Sequence, residues 1–168
     1  MQIREALPSE YEQAGRVTMR AYAEFFAPEG HDEDQEYLWS VGQVEARAAR
    51  TTVLVALLES AIVGCVTLEL DGRADAGDEP LEPGRAHIRM LGVAPWARGR
   101  GVGRALMTEC ELRAREAGKT FVTLHTTHLM TAARSMYETL GFERIGDHVL
   151  PDGFVLLGYR KDLQPSTN

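Results

Sequence analysis

The sequence contains few cysteines, few aromatic residues and no long apolar segment. Its 168 residues include two cysteines, and aromatic side chains make up 7% of the chain. Cys65 and Cys110 stand alone, with no His or Cys at the spacing of a metal site, so we expect two buried free thiols and no metal. No apolar run approaches the roughly 20 residues that a membrane-spanning helix requires. The composition therefore argues against a disulfide-rich scaffold and against a membrane partner.

Positive charge is also scarce over the chain as a whole. Lys and Arg number 18 against 25 Asp and Glu, which gives a formal net charge of -7. Such a chain repels a phosphate backbone, so we expect no nucleic-acid partner. The first residues, Met-Gln-Ile-Arg-Glu, lack the apolar segment of a secretory signal, and a cytoplasmic location is expected. The length favours one domain over residues 1–163, followed by a flexible tail at 164–168.

Three arginines and four glycines are nevertheless concentrated between a strand pattern and a helix pattern. The chain reads Leu91-Gly-Val-Ala-Pro-Trp-Ala-Arg98-Gly-Arg-Gly-Val-Gly-Arg104 there. Glycine lets the main chain approach an anion closely, while helix-start amides and arginine side chains favour negative charge. This segment predicts a phosphate-binding loop, which consists of Arg98, Gly99, Arg100, Gly101, Val102, Gly103 and Arg104.

The spacing of the glycines distinguishes between kinds of phosphate loop. A Walker loop requires a Lys and then a Ser or Thr directly after its second glycine, and the chain has no such pair here. A dinucleotide fingerprint requires a third glycine where Arg104 stands and an acidic residue about 20 positions further on. No Asp or Glu lies between Lys119 and Tyr137. The first alternative fails, and the second is weak.

The remaining pattern, Arg98-x-x-Gly101-x-Gly103, resembles the Arg/Gln-x-x-Gly-x-Gly/Ala signature of the GNAT superfamily of N-acetyltransferases. Upstream, Met90-Leu-Gly-Val-Ala-Pro95 resembles the fourth strand of that family. Downstream, Ala133-Arg-Ser-Met-Tyr-Glu-Thr-Leu-Gly-Phe142 resembles its Ala-x-x-Leu-Tyr-x-x-x-Gly-Phe helix end. The resemblance is close from about residue 85 to 142 and covers the rest only through the order of elements. It implies acetyl-CoA as the donor.

The order of elements agrees with the fold that this resemblance implies. Apolar periodicity predicts helices over residues 11–26, 32–49 and 101–117 and near 133–140, with strands over 51–57, 61–70, 85–93 and 120–125. A hairpin over 142–159 closes the sheet, and residues 71–84 form a long exposed loop. We expect a single-domain α/β (α+β) GNAT fold with a mixed central sheet of about seven strands, helices on both faces, and splayed fourth and fifth strands.

The resemblance also implies where the donor is held. The diphosphate of CoA would lie on the amides of residues 99–104 at the helix start. The pantetheine arm would pair with main-chain groups near Leu91, Gly92 and Val93, in the gap between the splayed strands. Gly92 is expected either to let its strand bulge or to pack closely against a neighbour.

Tyr137 is the first of two catalytic residues that the resemblance implies. It matches the helix tyrosine that in many relatives lies near the cofactor sulfur and returns a proton to the thiolate. A phenol with a pKa near 10 needs assistance from the site to protonate a thiolate whose conjugate acid has a pKa near 8.5. A Tyr137 that only packs in the core is the alternative.

His87 is the second implied catalytic residue, because it stands where some relatives carry a glutamate that acts as the base. Strand alternation places His87 on one face with Arg89, Leu91 and Val93, within reach of the acceptor through water. A bulge would change this parity. Three other residues compete for the role of base: Glu69, His125 and His128.

One position departs from the family pattern. Many members carry an Asn three residues before the helix alanine, where this chain has Met130. We expect Thr127 or Thr131 to cap the helix instead.

The favoured function is an N-acetyltransferase that transfers the acetyl group of acetyl-CoA directly to a primary amine of a small molecule or peptide, without a metal. The alternative is a catalytically silent acetyl-CoA-binding sensor or regulatory module, which would keep the phosphate-binding loop but would not need Tyr137. The aromatic and acidic residues between 22 and 39 either hold a cationic amine or form a solvated face over core aromatics. Since many members of the family are dimers, a homodimer is among the partners that the resemblance implies.

Overall fold

A computed structural model of the chain describes residues 1–26, 32–71 and 80–164. Most of the predicted exposed loop at 71–84 and the predicted flexible tail beyond residue 164 lie outside these ranges. The prediction of one domain over residues 1–163 stays a prediction.

Within the described residues, one mixed sheet runs through the molecule. The strands are β1 (Gln2–Glu5), β2 (Thr52–Leu58), β3 (Ala61–Glu69), β4 (Arg85–Val93), β5 (Phe121–Thr126), β6 (Glu143–Arg144), β7 (His148–Val149) and β8 (Val155–Asp162). The strand order is β1-β2-β3-β4-β5-β8-β6, and β7 pairs with β8. Among these described strands, only β4 and β5 are parallel to each other. The predicted mixed sheet is confirmed, and its eighth strand arises because the expected segment 142–150 pairs with β8 as two short strands.

Helices cover both faces of the sheet, as predicted. They are α1 (Tyr11–Ala23), α2 (Asp32–Val41), α3 (Val44–Ala48), α4 (Val102–Glu116) and α5 (Thr131–Thr139). The helix predicted over 32–49 is divided into α2 and α3 at Gly42, because α1 passes very close to this point. A Cβ atom on Gly15 of α1 would lie 2.2 Å from the Gly42 carbonyl oxygen. None of the helices in the described ranges has the length and apolar character needed to cross a bilayer.

The apolar core consists of one cluster on each side of the sheet. The larger cluster joins the sheet to α4 and α5, and the smaller one lies between the sheet, α1 and α3. Leu106 and Met107 of α4 are fully buried in the larger cluster, and each such side chain contributes about 1.5–3 kcal/mol of hydrophobic stabilisation. Cys65 and Cys110 are buried free thiols, which confirms that prediction.

β4 and β5 separate halfway along their length. They pair from Arg85 with Phe121 to Ile88 with Leu124, and beyond this point each strand continues without the other. The cause lies in β4, whose register against β3 jumps from Thr67 opposite Arg89 to Cys65 opposite Gly92. The extra residues form a β-bulge in which Met90 has a φ of 54°, in the left-handed region. The splayed strands are therefore confirmed.

The bulge reverses the alternation of side chains along β4. His87 and Arg89 lie opposite Glu69 and Thr67, and Thr67 accepts a hydrogen bond from Arg47 of α3, so this part of β4 faces the α1 and α3 side. Leu91 and Val93, after the bulge, pack against the core on the α4 side. The prediction that His87, Arg89, Leu91 and Val93 share one face is therefore wrong, because an added residue shifts the period of two.

Gly92 is a site of close packing. The bulge itself is formed at Met90, and Gly92 faces α1, where a Cβ atom would lie 3.1 Å from both the Ala21 Cβ and the Thr18 Cα. Of the two roles expected for Gly92, the structure therefore favours the close approach of β4 to α1.

Candidate active site

The gap between β4 and β5 opens into a cleft of about 520 Å³. Five parts of the fold form its walls. They are the end of α1, the second half of β4, the phosphate-binding loop with the first turn of α4, the end of β5, and α5 with the segment that leads into it. Volumes of this size are typical of small-molecule and cofactor sites. The cleft is therefore the candidate active site.

The phosphate-binding loop presents main-chain donors to this cleft. Gly99 and Gly101 have φ values of +73° and +77°, and a Cβ atom on either residue would meet no other atom within 4 Å. The Ala105 amide donates to the Gly101 carbonyl over 2.9 Å, so the amides of residues 101–104 lie ahead of the intrahelical bonds of α4. The positive end of the helix dipole thus faces an open space in front of the loop.

All but one of the predicted cofactor-binding residues line the cleft. Arg100 does not line it and is exposed at the surface. The residues that do are Leu91, Gly92, Val93, Arg98, Gly99, Gly101, Val102, Gly103 and Arg104.

Arg98 ties the loop to the end of α1. Its guanidinium donates to the Glu24 carboxylate over 2.8 Å and to the Ala21 carbonyl over 3.4 Å. Part of its charge is therefore balanced by Glu24, and its position is fixed by two contacts with α1. These contacts brace the loop against the end of α1.

The start of α5 forms the opposite side of the cleft. Met130, Thr131, Ala132 and Ala133 line it, and Met136 lies close to α4, since a Cβ atom on Gly103 would be 3.2 Å from the Met136 sulfur. The N-cap position of α5 is Met130, without a side-chain hydrogen bond. The expected capping by Thr127 or Thr131 is therefore wrong.

These features fit a nucleotide diphosphate that carries a long flexible arm. A diphosphate requires several donors and positive charge, which the amides of residues 99–104, Arg98 and Arg104 can supply. The arm requires a channel edged by main-chain groups that are not used by a neighbouring strand. The second half of β4, released from β5 after Ile88, offers such an edge.

Tyr137 lies in the wall of the same cleft and is 6% exposed. Its ring packs against those of Phe142 and Tyr159, with both centroids 6.0 Å away. Burial raises the pKa of the Tyr137 phenol well above its ordinary value. The phenol is therefore a weaker acid than a free tyrosine, and its transfer of a proton to a thiolate needs assistance from the site.

His87 lies behind the wall of the cleft. It is 7% exposed, and its Nδ1 lies 2.7 Å from the Thr123 hydroxyl and 3.2 Å from an Arg85 guanidinium nitrogen. Burial, and then the charge of Arg85, lower the pKa of His87 well below its ordinary value. Within β4, the residues that line the cleft start at Ile88, one position after His87. His87 can therefore act on a bound molecule only through a neighbouring group.

The three competing candidates for the base are placed differently from one another. Glu69 is 2% exposed, lies outside the lining, and has a carboxylate oxygen 3.4 Å from the Arg89 guanidinium. His128 is exposed and also lies outside the lining. His125 lines the cleft, and its ring centroid lies 5.2 Å from that of His87.

The end of α1 contributes two aromatic rings and one carboxylate to the cleft. Tyr22, Glu24 and Phe25 line it, and Glu24 is paired with Arg98. The acidic residues in the first turn of α2 do not line it. This placement favours the interpretation of the α2 carboxylates as a solvated face. Tyr22 and Phe25 belong to the aromatic residues between 22 and 39 for which the sequence predicted, as one of two alternatives, contact with a cationic amine.

Within the ranges that the structure describes, no group of three or more His, Cys, Asp or Glu side chains is arranged to hold a metal ion.

The sequence profile of the acetyltransferase (GNAT) family matches residues 13–142. The chain belongs to this family, whose fold uses acetyl-CoA.

Known proteins are similar to this chain in sequence or in fold. A mycothiol acetyltransferase from Thermobispora bispora is 34% identical over 83 residues, which are 49% of this chain and 27% of that protein. The ribosomal-protein-alanine N-acetyltransferase of Brucella melitensis superimposes with a TM-score of 0.70 at 23% identity, over 97% of this chain and 100% of that one. The Salmonella typhimurium protein yncA, whose structure contains its cofactor acetyl-CoA, gives a TM-score of 0.69 at 20% identity, over 100% and 96% of the two chains. The match to the curated relative spans about a quarter of its length, and the two structures share the fold.

Proposed function

We propose that this protein is an N-acetyltransferase that transfers the acetyl group of acetyl-CoA directly to a primary amine of a small molecule or peptide. The observation that carries the proposal is the position of the phosphate-binding loop, which opens into the gap between β4 and β5 beside Tyr137. Membership of the acetyltransferase family supports it, as do relatives named as N-acetyltransferases.

The loop and β4 hold the donor in this proposal. The amides of residues 99–104 and the side chains of Arg98 and Arg104 bind the diphosphate, and each favourable helix-end contact contributes about 0.3–1 kcal/mol. Arg100, at the surface, adds long-range attraction for the anionic donor. Main-chain groups of Leu91 and Val93 pair with the pantetheine arm, while Gly92 allows β4 to lie against α1.

A main-chain amide of the segment 91–93 stabilises the charge that develops on the carbonyl oxygen during the transfer. The bound donor supplies an activated acetyl thioester. A hydrogen-bonding amide that is fixed in advance costs no reorganisation when charge develops on the oxygen. One such amide in a well-organised site contributes about 3 kcal/mol. The bulge at Met90 turns this part of β4 away from β5, so the amides there can face the cleft.

Tyr137 and His87 divide the proton transfers in this proposal. Tyr137 donates to the departing thiolate, since it lines the cleft beside the gap between β4 and β5, and because burial raises the pKa of the phenol, the site assists this transfer. His87 belongs to the base, which must remove a proton from the ammonium form of an amine with a pKa of about 10. Because His87 lies behind the cleft wall, the group that receives the proton lines the cleft, and His87 acts on that group from behind.

Calorimetry combined with a thiol-release assay tests the proposal. The protein is titrated with acetyl-CoA and with desulfo-CoA, and thiol release is then measured across a panel of polyamines, amino acids and peptides with free N-termini. The proposal expects donor binding together with release in the presence of at least one amine class. Tight donor binding without release across the whole panel would favour the acetyl-CoA sensor instead.

We propose a cytoplasmic location as well. Cys65 and Cys110 are free thiols. Two unpaired cysteines are common in reducing compartments, where disulfides are rare. The homodimer stays a prediction.

A further inference from the structure

Three histidines from three different strands form a row beside the cleft. The ring centroids of His87 (β4) and His125 (β5) are 5.2 Å apart, and those of His125 and His148 (β7) are 5.7 Å apart. His87 is buried, whereas His125 and His148 are exposed. The row therefore leads from the interior of the sheet to the surface, and its middle member lines the cleft.

The strand geometry fixes the position of His125. Leu124, the residue before it, pairs with Ile88 at the last point where β4 and β5 meet, and its side chain is buried in the core on the α4 side. Alternation places the His125 side chain on the other face, at the first position where the two strands have parted. In the proposed function, the acceptor amine reaches the thioester at this end of the gap, which His125 lines.

His87 is poorly suited to receive a proton directly. Its Nδ1 lies 3.2 Å from an Arg85 guanidinium nitrogen, which can only donate, so Nδ1 is assigned as the acceptor and Nε2 as the protonated nitrogen. Thr123 also lies within 2.7 Å of Nδ1. A proton on Nδ1 would face the Arg85 cation at close range. These contacts hold the ring of His87 in one orientation and in its neutral form.

The charges around His125 keep it neutral as well. Arg85, His87 and Arg89 of β4 and His148 of β7 face it, and Arg89 is itself paired with the buried Glu69 of β3. Partial burial lowers the pKa of His125, and His148, Arg85 and Arg89 lower it further. A base must be unprotonated before it can act, and this environment satisfies that requirement at neutral pH.

We propose that His125 receives the proton from the ammonium group of the acceptor and passes it to solvent past His148, with His87 as a positioning residue. This inference rests on the proposed function. The proton leaves the ammonium nitrogen for an imidazole nitrogen of His125, and the freed amine becomes the nucleophile. The exposed side of His125, next to the exposed His148, lets water take the proton away.

Tyr137 handles the proton in the transfer step that follows. The amine nitrogen bonds to the acetyl carbon as the bond from that carbon to sulfur breaks, and Tyr137 gives its phenolic proton to the sulfur. The phenolate then recovers the proton that the new amide nitrogen loses. One proton is released in each turnover, and it leaves through His125.

The test compares His125→Gln with His128→Gln, an exposed histidine three residues away that lies outside the cleft lining. With saturating acetyl-CoA, the kcat/KM for the amine should fall roughly 100-fold or more at pH 7 in His125→Gln and remain within about twofold in His128→Gln. The rise of kcat/KM with pH should disappear in His125→Gln and persist in His87→Gln. Donor affinity by calorimetry should not change in any of these variants.

A second readout needs neither donor nor activity. An NMR titration of the imidazole protons of the free protein should show His125 titrating below its ordinary range of about 6.5. In His87→Gln, which leaves the exposed His125 ring in place, this titration should persist and shows whether His125 keeps its environment. Circular dichroism of each variant verifies that it is folded.

Three results would overturn the inference. The first is a wild-type rate and pH profile in a folded His125→Gln. The second is loss of the pH dependence in His87→Gln while His125→Gln retains it. The third is a His125 that titrates at or above the ordinary histidine range in the free protein. Donor binding by the wild-type protein without transfer to any amine would overturn the proposed function itself, and the role of His125 with it.

Discussion

Gly101 occupies the position of the phosphate-binding loop where a side chain would do most damage to donor binding. It immediately precedes α4, has a φ of +77°, and faces open space within the cleft wall. The chain contains a matched position at the other end of the same helix. Gly118 has a φ of +74°, and a Cβ atom there also meets nothing within 4 Å, but it lies outside the cleft lining.

Gly101→Glu should abolish donor binding without unfolding the protein. The new carboxylate would occupy the space in front of the helix start and repel the donor phosphates, so we expect a loss of about 3 kcal/mol or more in calorimetry with acetyl-CoA, which is roughly 100-fold. Gly118→Glu carries the same charge and a similar left-handed backbone cost of about 1–2 kcal/mol, and it should bind normally. Equal donor affinity in the two variants would contradict the proposal that this loop binds the donor phosphates.

Tyr137→Phe should reduce turnover while leaving donor affinity nearly unchanged. The substitution removes only the hydroxyl that donates to the thiolate, so kcat should fall roughly 100-fold, as expected for loss of a general acid. Tyr159→Phe is the matched control, because Tyr159 is fully buried, lies 6.0 Å from Tyr137 and donates to Glu138 outside the cleft. It should lose about 1 kcal/mol of stability and no activity. An unchanged kcat in Tyr137→Phe would assign that tyrosine to the core alone.

Single residues differ in how far their sequence context predicts their place. The phosphate-binding loop could be read from the sequence because its glycines and arginines act through local backbone freedom and charge. The relation of His87 to the rest of β4 could not, since one bulge at Met90 reverses the parity, and the sequence carries no signal for it. The importance of His125 depends on where β4 and β5 part, which is a property of two strands together.

At the scale of elements, the approach of β4 to α1 shapes one wall of the cleft. Gly92 meets Thr18 and Ala21 of α1, and Arg98 of the loop is bonded to the end of the same helix. α1 therefore braces both the strand and the loop that hold the donor in the proposed function. This coupling predicts that crowding at Gly92 affects stability and donor binding together.

Gly92→Val should destabilise the fold by about 1–3 kcal/mol and weaken donor binding, because the added side chain would press against Thr18 and Ala21. Urea unfolding and calorimetry measure the two effects. Gly146→Val is the control, since a Cβ atom on Gly146 meets nothing within 4 Å, and its effect should stay within about 0.5 kcal/mol. Unchanged stability and donor affinity in Gly92→Val would show that α1 moves aside to accommodate the larger side chain.

Periodicity predicted the position of most elements but not the break between α2 and α3. That break follows from the contact of Gly42 with Gly15 of α1, a packing requirement that no local pattern expresses. The capping of α5 is a similar case. Thr127 follows β5 closely, and its hydroxyl is buried without a partner instead of reaching the first turn of α5. Local propensity identifies an element, whereas its ends are decided by neighbours.

At the scale of the whole molecule, an acidic chain carries a local basic site. The net charge is -7, yet three arginines lie between residues 98 and 104 at the edge of the cleft. An anionic donor that binds only the folded state should therefore stabilise the entire domain. This effect offers a test that does not require the acceptor to be known.

Acetyl-CoA at 100 times its dissociation constant should stabilise the protein by about 2.7 kcal/mol. For a domain of this size each kcal/mol shifts the melting temperature by roughly 2–4 °C, so the increase should be about 5–10 °C in thermal unfolding. Gly118→Glu should show the same increase at the same donor concentration, and Gly101→Glu should show an increase of about 1 °C or less, since the donor is then at or below its dissociation constant. An increase in Gly101→Glu that equals the wild-type value would place the donor elsewhere.

A crystal structure of the protein with CoA bound would show directly whether the phosphate-binding loop holds the donor. The diphosphate should lie within hydrogen-bonding distance of the amides of residues 99–104. The pantetheine arm should follow the free edge of β4 and bring the sulfur close to Tyr137 and His125. A structure in which CoA binds outside this cleft, with the segment 98–104 facing bulk solvent, would contradict the account.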